Sequence, residues 1–250
     1  MIKISILKFP FFYYIINKFE SDYESDYDDD NDTSFISSLC FVLLMSYTNF
    51  VSAEDWKLVK NKKDISVYSL QKKHYKLKHF KALVTINKDA DTILAALQDT
   101  ENCKQWVYNC LSNKMVDMID FRQRVYHTII ESPLWFKDRD FYLESDVIYN
   151  PTNEQFTVIF KSIPGYKKTS KKIHRVKNIE MTWKLESISD NKTLVNYQVY
   201  IDPNLPIKII NHSMIKKSIF KTMQGLKTIV NNPVYAETKY SKSELEMLAQ

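Results

Sequence analysis

"TLVNYQVYIDPNLPIKIINHSMIKKSIFKTMQGLKTIV", residues 193–230, is the stretch on which the fold turns. Residues 193–202 alternate as a strand, Asp202-Pro203 ends it, and a helical period runs over 206–231. At 100° per residue, Ile207, Met214, Ile215, Ile219, Met223, Leu226, Ile229 and Val230 fall within one half of the wheel. Lys216, Lys217, Lys221 and Lys227 fall on the other. A long amphipathic helix that closes a chain of strands has one economical place to go. It packs across the concave face of a curved antiparallel sheet.

Upstream, the pattern supplies the sheet. Period-2 segments are expected at 65–68, 79–86, 121–131, 140–149, 155–162, 172–186 and 193–202, with a helix over 89–107 capped by Asp89 or Asp91. Residues 54–64 read as a short amphipathic turn, and 236–250 as a polar tail forming a frayed helix. The fold class is therefore α+β: a curved antiparallel sheet around a C-terminal helix. Seven strands bent about one helix need not fill the interior, so an apolar hollow is expected, lined by alternate strand residues and the inner helix face.

Composition narrows the function. Of 250 residues only two are glycine, Gly165 and Gly225. No GxGxxG, GxxxxGK[ST] or GxSxG can be written, which removes phosphate-cradling loops and the nucleophile elbow. Residues 1–53 hold three lysines against eight acidic residues; 54–250 hold 32 basic and 22 acidic, a body that attracts anionic surfaces. An apolar run from Phe35 to Val51, followed by Val51-Ser52-Ala53, reads as an export signal over 34–53, although "ESDYESDYDDDND" (20–32) stands where a basic n-region belongs. Residues 1–33 then read as an acidic disordered extension or a mis-assigned start. Export to the periplasm or beyond is the expectation, with an uncleaved inner-membrane anchor as the alternative.

Four phrases in order, "LQDTENCKQWVYNC" (97–110), "SPLWFKDRDFYL" (132–143), "IHRVKNIEMTWKLESISDNKTLVNYQVYIDP" (173–203) and "LPIKIINHSMIKKSIFKTMQGLK" (205–227), resemble the START (StAR-related lipid transfer) domain in its secreted bacterial form. The resemblance covers nearly all of 55–235. It implies a helix-grip fold, a hydrophobic tunnel for one lipid, and no cofactor. Two positions depart from the family's glycines: Asn204-Leu205 after the Asp-Pro, and Ile179-Glu180 before the W-x-L tryptophan. Asparagine tolerates positive φ, so the first turn survives; the second puts local strand geometry in question.

The candidate cavity residues follow from this frame. On 121–131, Phe121, Gln123, Val125, His127 and Ile129 share one face; their apolar weight favours it as the inner one, with His127 a polar contact or a hydrogen-bonded core residue. Trp106 at a helix end and Trp135 before a strand either fill core or gate the pocket, and Trp183 points inward with Met181 and Leu185. Phe141, Tyr197, Met214, Ile215 and Ile219 complete the lining. Arg139 and Asp140 are either a charge pair that orients a head group or, the weightier reading, a salt bridge to the neighbouring strand or helix that sets strand register. "KSIPGYKKTSKKIHRVK" (161–177) carries six lysines, one arginine and no acid around a Pro-Gly turn. It is either a solvated loop or a membrane-docking loop through Lys167, Lys168, Lys171 and Lys172, extended by Lys216 and Lys217 on the helix. Nucleic acid is disfavoured because the basic run lacks interleaved stacking aromatics. The histidines show no metal spacing. Cys103 and Cys110 are about 10 Å apart if one helix holds both; a bridge is possible if it ends first, but is not the default.

The expected function is non-catalytic binding, and transfer between membranes, of one lipid-type ligand by a monomer that touches an anionic membrane transiently. The rival is an aromatase/cyclase of polyketide type on the same scaffold, which needs an acid–base pair inside the cavity, for example His127 with Glu131 or Arg124. A third is an interaction protein that uses only its basic surface.

Overall fold

The computed structural model describes residues 54–132, 136–204 and 208–249. The expectations for 1–53, together with Trp135 and Ile207, lie outside these residues. The described elements are β1 (Lys57–Lys62), β2 (Ile65–Leu70), β3 (His79–Ile86), α1 (Ala90–Gln98), α2 (Cys103–Trp106), β4 (Cys110–Met118), β5 (Gln123–Ile130), β6 (Arg139–Asn150), β7 (Gln155–Ser162), β8 (His174–Arg175), β9 (Ile179–Ser189), β10 (Lys192–Ile201), α3 (Lys208–Ile229), a 3₁₀ turn (Pro233–Tyr235) and α4 (Lys242–Leu248). The strands form one sheet in the order β1-β2-β3-β10-β9-β7-β6-β5-β4. All these neighbours are antiparallel. The two-residue β8 adds in parallel to the start of β6, where β7 does not reach.

On β2 the alternation read from sequence is the alternation of burial. In β2, Ile65, Val67 and Ser69 are buried while their neighbours are half-exposed. In α3, Ile215, Ile219, Met223, Leu226 and Ile229, and Val230 just after it, are buried in the main core with Trp183, Leu185 and Val195 of the sheet. Phe220 joins them although it lies beside the lysine face, because the Lys60 ammonium of β1 sits over its ring, 3.6 Å from the centroid.

Several boundaries differ from expectation for local reasons. The single helix over 89–107 is two. Asp89 caps α1 by accepting from the Thr92 N–H at 2.8 Å. Asp99 then accepts from the N–H groups of Glu101 (3.0 Å) and Asn102 (3.2 Å), turning the chain before α2 starts. The turn read over 54–64 is partly strand β1, and β4 is a further strand. Both are edge strands, mostly exposed and bulged, so neither alternates. The polar tail is not frayed: Ser241 and Glu244 form a capping box, and Leu248 is buried in the main core. Asn204 adopts φ 54°, the left-handed turn that its family glycine would take. At the second departure, the pairs Ile179↔Ile201 and Glu180↔Tyr200 are in unbroken register.

Candidate functional site

Between the concave sheet and α3 lies a mainly apolar cavity of about 320 Å³, within the ~300–1,000 Å³ of small-molecule sites. Its walls come from α2 and the chain that follows it, from β5, β6, β9 and β10, and from the middle of α3. Trp106, Phe141, Trp183 and Tyr197 line it as expected, as do Met214, Ile215 and Ile219 of α3. The aromatic groups brace each other: the Trp183 and Tyr197 rings stack at 4.0 Å, and Trp106 meets Trp183 edge-on at 6.3 Å. Tyr197 is buried, its hydroxyl 3.2 Å from the Met181 sulfur, and burial drives its pKa upward.

The inner face of β5 is the opposite of the one expected. Tyr126, Thr128 and Ile130 line the cavity; Val125, His127 and Ile129 do not. The cross-strand partners agree, since Thr128 pairs with Phe141 and His127 with Tyr142. Apolar weight misled because the outer face of this sheet is itself covered. His127 stacks on Tyr142 at 4.4 Å, Tyr142 meets Tyr166 of the basic hairpin at 5.1 Å, and the Tyr166 hydroxyl donates to Asp117 at 3.1 Å. Val125 is buried without facing the hollow.

Arg139 and Asp140 are therefore not a pair; the pleat sends them to opposite faces. Asp140 accepts from Arg175 Nε and Nη2, each at 2.8 Å, and lies 3.0 Å from His127 Nε2. Burial raises this carboxyl's pKa, but the Arg175 and His127 hydrogen bonds outweigh burial and hold it below the ordinary value. Arg175 also donates to the carbonyls of Lys167 (3.0 Å) and Pro164 (3.4 Å), so the same group clamps the hairpin. Arg139 faces the cavity instead. Its Nη1 donates to Ser132 Oγ at 2.9 Å and to the Lys137 carbonyl, while its Nε is buried with no partner among the described residues. Burial lowers its pKa, opposed by Asp138, and guanidinium stays charged. Polar neighbours in the wall include Asn113, hydrogen-bonded to Thr128 at 2.8 Å, and Glu131.

Cys103 and Cys110 form a disulfide with Cα atoms 6.0 Å apart. The default reading fails because α2 ends at Trp106 and the chain doubles back into β4. Both cysteines line the cavity, as do Val107, Tyr108 and Asn109 between them. No sequence pattern marked that segment as wall.

The lysine candidates separate. Lys167, Lys168, Lys171 and Lys172 lie on the exposed hairpin, which is tied to the segment before β6 by Lys137 Nζ donating to the Lys171 carbonyl and the His174 N–H to the Asp138 carbonyl, both 2.8 Å. Lys217 reaches the cavity wall, 5.5 Å from the Tyr108 ring centroid. Lys216 belongs to a different group, adding to the burial and the Lys62 charge that lower the Lys60 pKa. Among the described residues no cluster of His, Cys, Asp and Glu could hold a metal ion.

Comparison with known proteins agrees with this architecture. The sequence model of the START domain matches residues 46–234. The uncharacterized protein PA1579 of Pseudomonas aeruginosa is 28% identical over 183 residues, 70% of this chain and 87% of that protein. Among solved structures, a STAR-related lipid transfer protein from Xanthomonas axonopodis superposes with TM-score 0.65 at 19% identity, covering 71% of this chain and 99% of that one. Human STARD10 superposes with TM-score 0.66 at 18% identity, covering 91% of each. With a family match over most of its length and a curved sheet gripping a long helix around an apolar cavity, the chain belongs to the START domain family.

Proposed function

We propose that this protein holds one lipid-type ligand in the cavity beneath α3 and carries it between membranes without chemical change. The observation that supports this best is a hollow walled mainly by apolar side chains, with a buried guanidinium facing it. Each methylene buried there is worth about 0.8 kcal/mol, so an acyl chain needs no covalent step to be retained. Arg139 would meet the head group through its charge, which favours a phosphate or carboxylate. The pair His127–Glu131 gives the cyclase reading no support, because His127 is held on the outer face by Asp140 while Glu131 lies in the cavity wall. The disulfide suits work in an oxidising compartment.

Native mass spectrometry of the full chain, after incubation with a total membrane lipid extract, is the test. One bound lipid per chain is expected, and a folded protein that retains none would remove the reading. Arg139→Gln is expected to retain acidic lipids about tenfold to a hundredfold less well, the loss of one charge-assisted hydrogen bond, while neutral lipids bind as before.

A further inference from the structure

The disulfide has a position that ligand storage alone does not call for. Its two sulfurs belong to residues of the cavity wall, and the seven-residue step between them closes a covalent ring. Trp106, Val107, Tyr108 and Asn109 lie within this ring and also line the cavity. The ring is therefore a piece of wall in its own right.

Helix α3 closes against that piece. A Cβ on Gly225 would stand 2.2 Å from the Trp106 carbonyl oxygen, so the two backbones are in direct contact. The Tyr108 N–H donates to Thr222 Oγ1 at 3.1 Å, and the Lys217 ammonium lies 5.5 Å from the Tyr108 ring centroid. These contacts fall in the part of the helix that includes the cavity-lining residues Lys217, Ser218, Ile219 and Thr222. Asn109 is held at φ 60°, a left-handed conformation, and the Trp106 indole N–H is buried without an acceptor among the described residues. Apart from the covalent bond, the ring has two short backbone bonds, Val107 N–H to Cys103 O at 2.9 Å and Cys110 N–H to Val107 O at 3.1 Å. The Asn109 carbonyl also accepts from the Glu131 N–H at 2.9 Å.

We infer that the Cys103–Cys110 disulfide is a redox clasp on the cavity: oxidised, it holds the wall against which α3 closes, and reduced, it lets ligand exchange. The inference rests on the cavity being the ligand site. The reductant is a dithiol. One of its thiolates attacks a cysteine sulfur, and a mixed disulfide forms as the partner cysteine leaves as thiolate and takes a proton. The second thiol then displaces the other cysteine, giving two protein thiols and a cyclic disulfide. Because both cysteines line the hollow, a bound ligand also covers them. Linkage then requires reciprocity: if the closed disulfide favours the bound ligand, the ligand must favour the closed disulfide.

The experiment uses the full chain in a Cys40→Ser background, so that the third cysteine takes no part. The protein is loaded from a total membrane lipid extract, and the bound lipid is counted by native mass spectrometry. Release to phosphatidylcholine vesicles is then followed with and without dithiothreitol. Reduction is expected to speed release at least about fivefold, the low end of typical coupling between sites. Dithiothreitol should also open the disulfide more slowly in loaded than in empty protein. The Cys103→Ser/Cys110→Ser variant should release at the reduced rate and ignore the reagent; if it does not fold, the reduced wild type carries the comparison. Equal release from oxidised and reduced protein, with lipid loaded in both, overturns the clasp and leaves the binding proposal standing. Failure of the oxidised protein to load any lipid overturns both.

Discussion

Adjacent residues can do unrelated work when a strand separates them, and Arg139-Asp140 shows how. Arg139 faces the hollow, whereas Asp140 closes a buried ion pair with Arg175 on the outer face and so fixes the hairpin that Arg175 also holds. The folded carboxyl titrates below its unfolded value, so its contribution is fully present above the unfolded pKa and is lost as pH falls through the folded one. Asp140→Asn leaves the Arg175 charge buried without a counter-ion, and should cost about 3–5 kcal/mol at neutral pH. Below about pH 4, where the wild type itself begins to take up protons, the gap between the two proteins should narrow. Urea denaturation at both pH values checks this, and a gap that stays constant or widens in acid would contradict it.

At the scale of elements, α3 and α2 meet backbone to backbone where Gly225 faces Trp106. Ala is the better helix former than Gly by about 1 kcal/mol, so propensity alone predicts that Gly225→Ala stabilises. The Trp106 backbone reverses the sign, because carbonyl and Cα atoms at 2.2 and 2.7 Å cannot rotate away as a side-chain tip could. A net loss of about 1–3 kcal/mol is expected, the usual range for overpacking. Gly165→Ala serves as the comparison: nothing stands within 4 Å of its Cβ, so it should change stability by less than about 0.5 kcal/mol. Thermal or urea denaturation of the pair distinguishes contact from propensity. The same elements show what could be read from sequence. The strands with one buried face and the long helix were legible because burial imprints a period on them. The exposed, bulged edge strands β1 and β4 carry none. The break between α1 and α2 rested on one side chain, Asp99, accepting from two backbone groups. On β5 the period was plain but its phase was not, because the hairpin carrying Tyr166 gives the outer face aromatic cover of its own. Eight of the cavity candidates on other elements lay where periodicity and resemblance put them, while Cys103 and Cys110 joined the wall through a chain reversal that spacing does not encode.

Over the whole molecule, two properties must cooperate if the cavity is to deliver its contents: an apolar interior and a surface that meets a membrane. The hairpin lysines lie close to the first. They precede Val176 and Ile179, which line the cavity, and their loop is tied by Lys137 and Asp138 to the chain that leads into Arg139. Each such charge near an anionic leaflet contributes about 1 kcal/mol, and at physiological ionic strength its reach is about 8 Å. Replacing Lys167, Lys168, Lys171 and Lys172 with Glu should therefore slow delivery to phosphatidylglycerol vesicles by orders of magnitude, while the amount of lipid held per chain, counted by native mass spectrometry, stays the same. Raising salt should slow the wild type toward the variant and leave transfer to phosphatidylcholine vesicles nearly unchanged. The converse variant, Val199→Trp, fills the hollow from β10, where Val199 is buried and lines it. It should abolish retention while vesicle binding persists. If the two variants fail in the same assay, surface and cavity are not separable. If the lysine variant delivers at the wild-type rate, the hairpin does not dock, and the membrane must meet another face of the molecule.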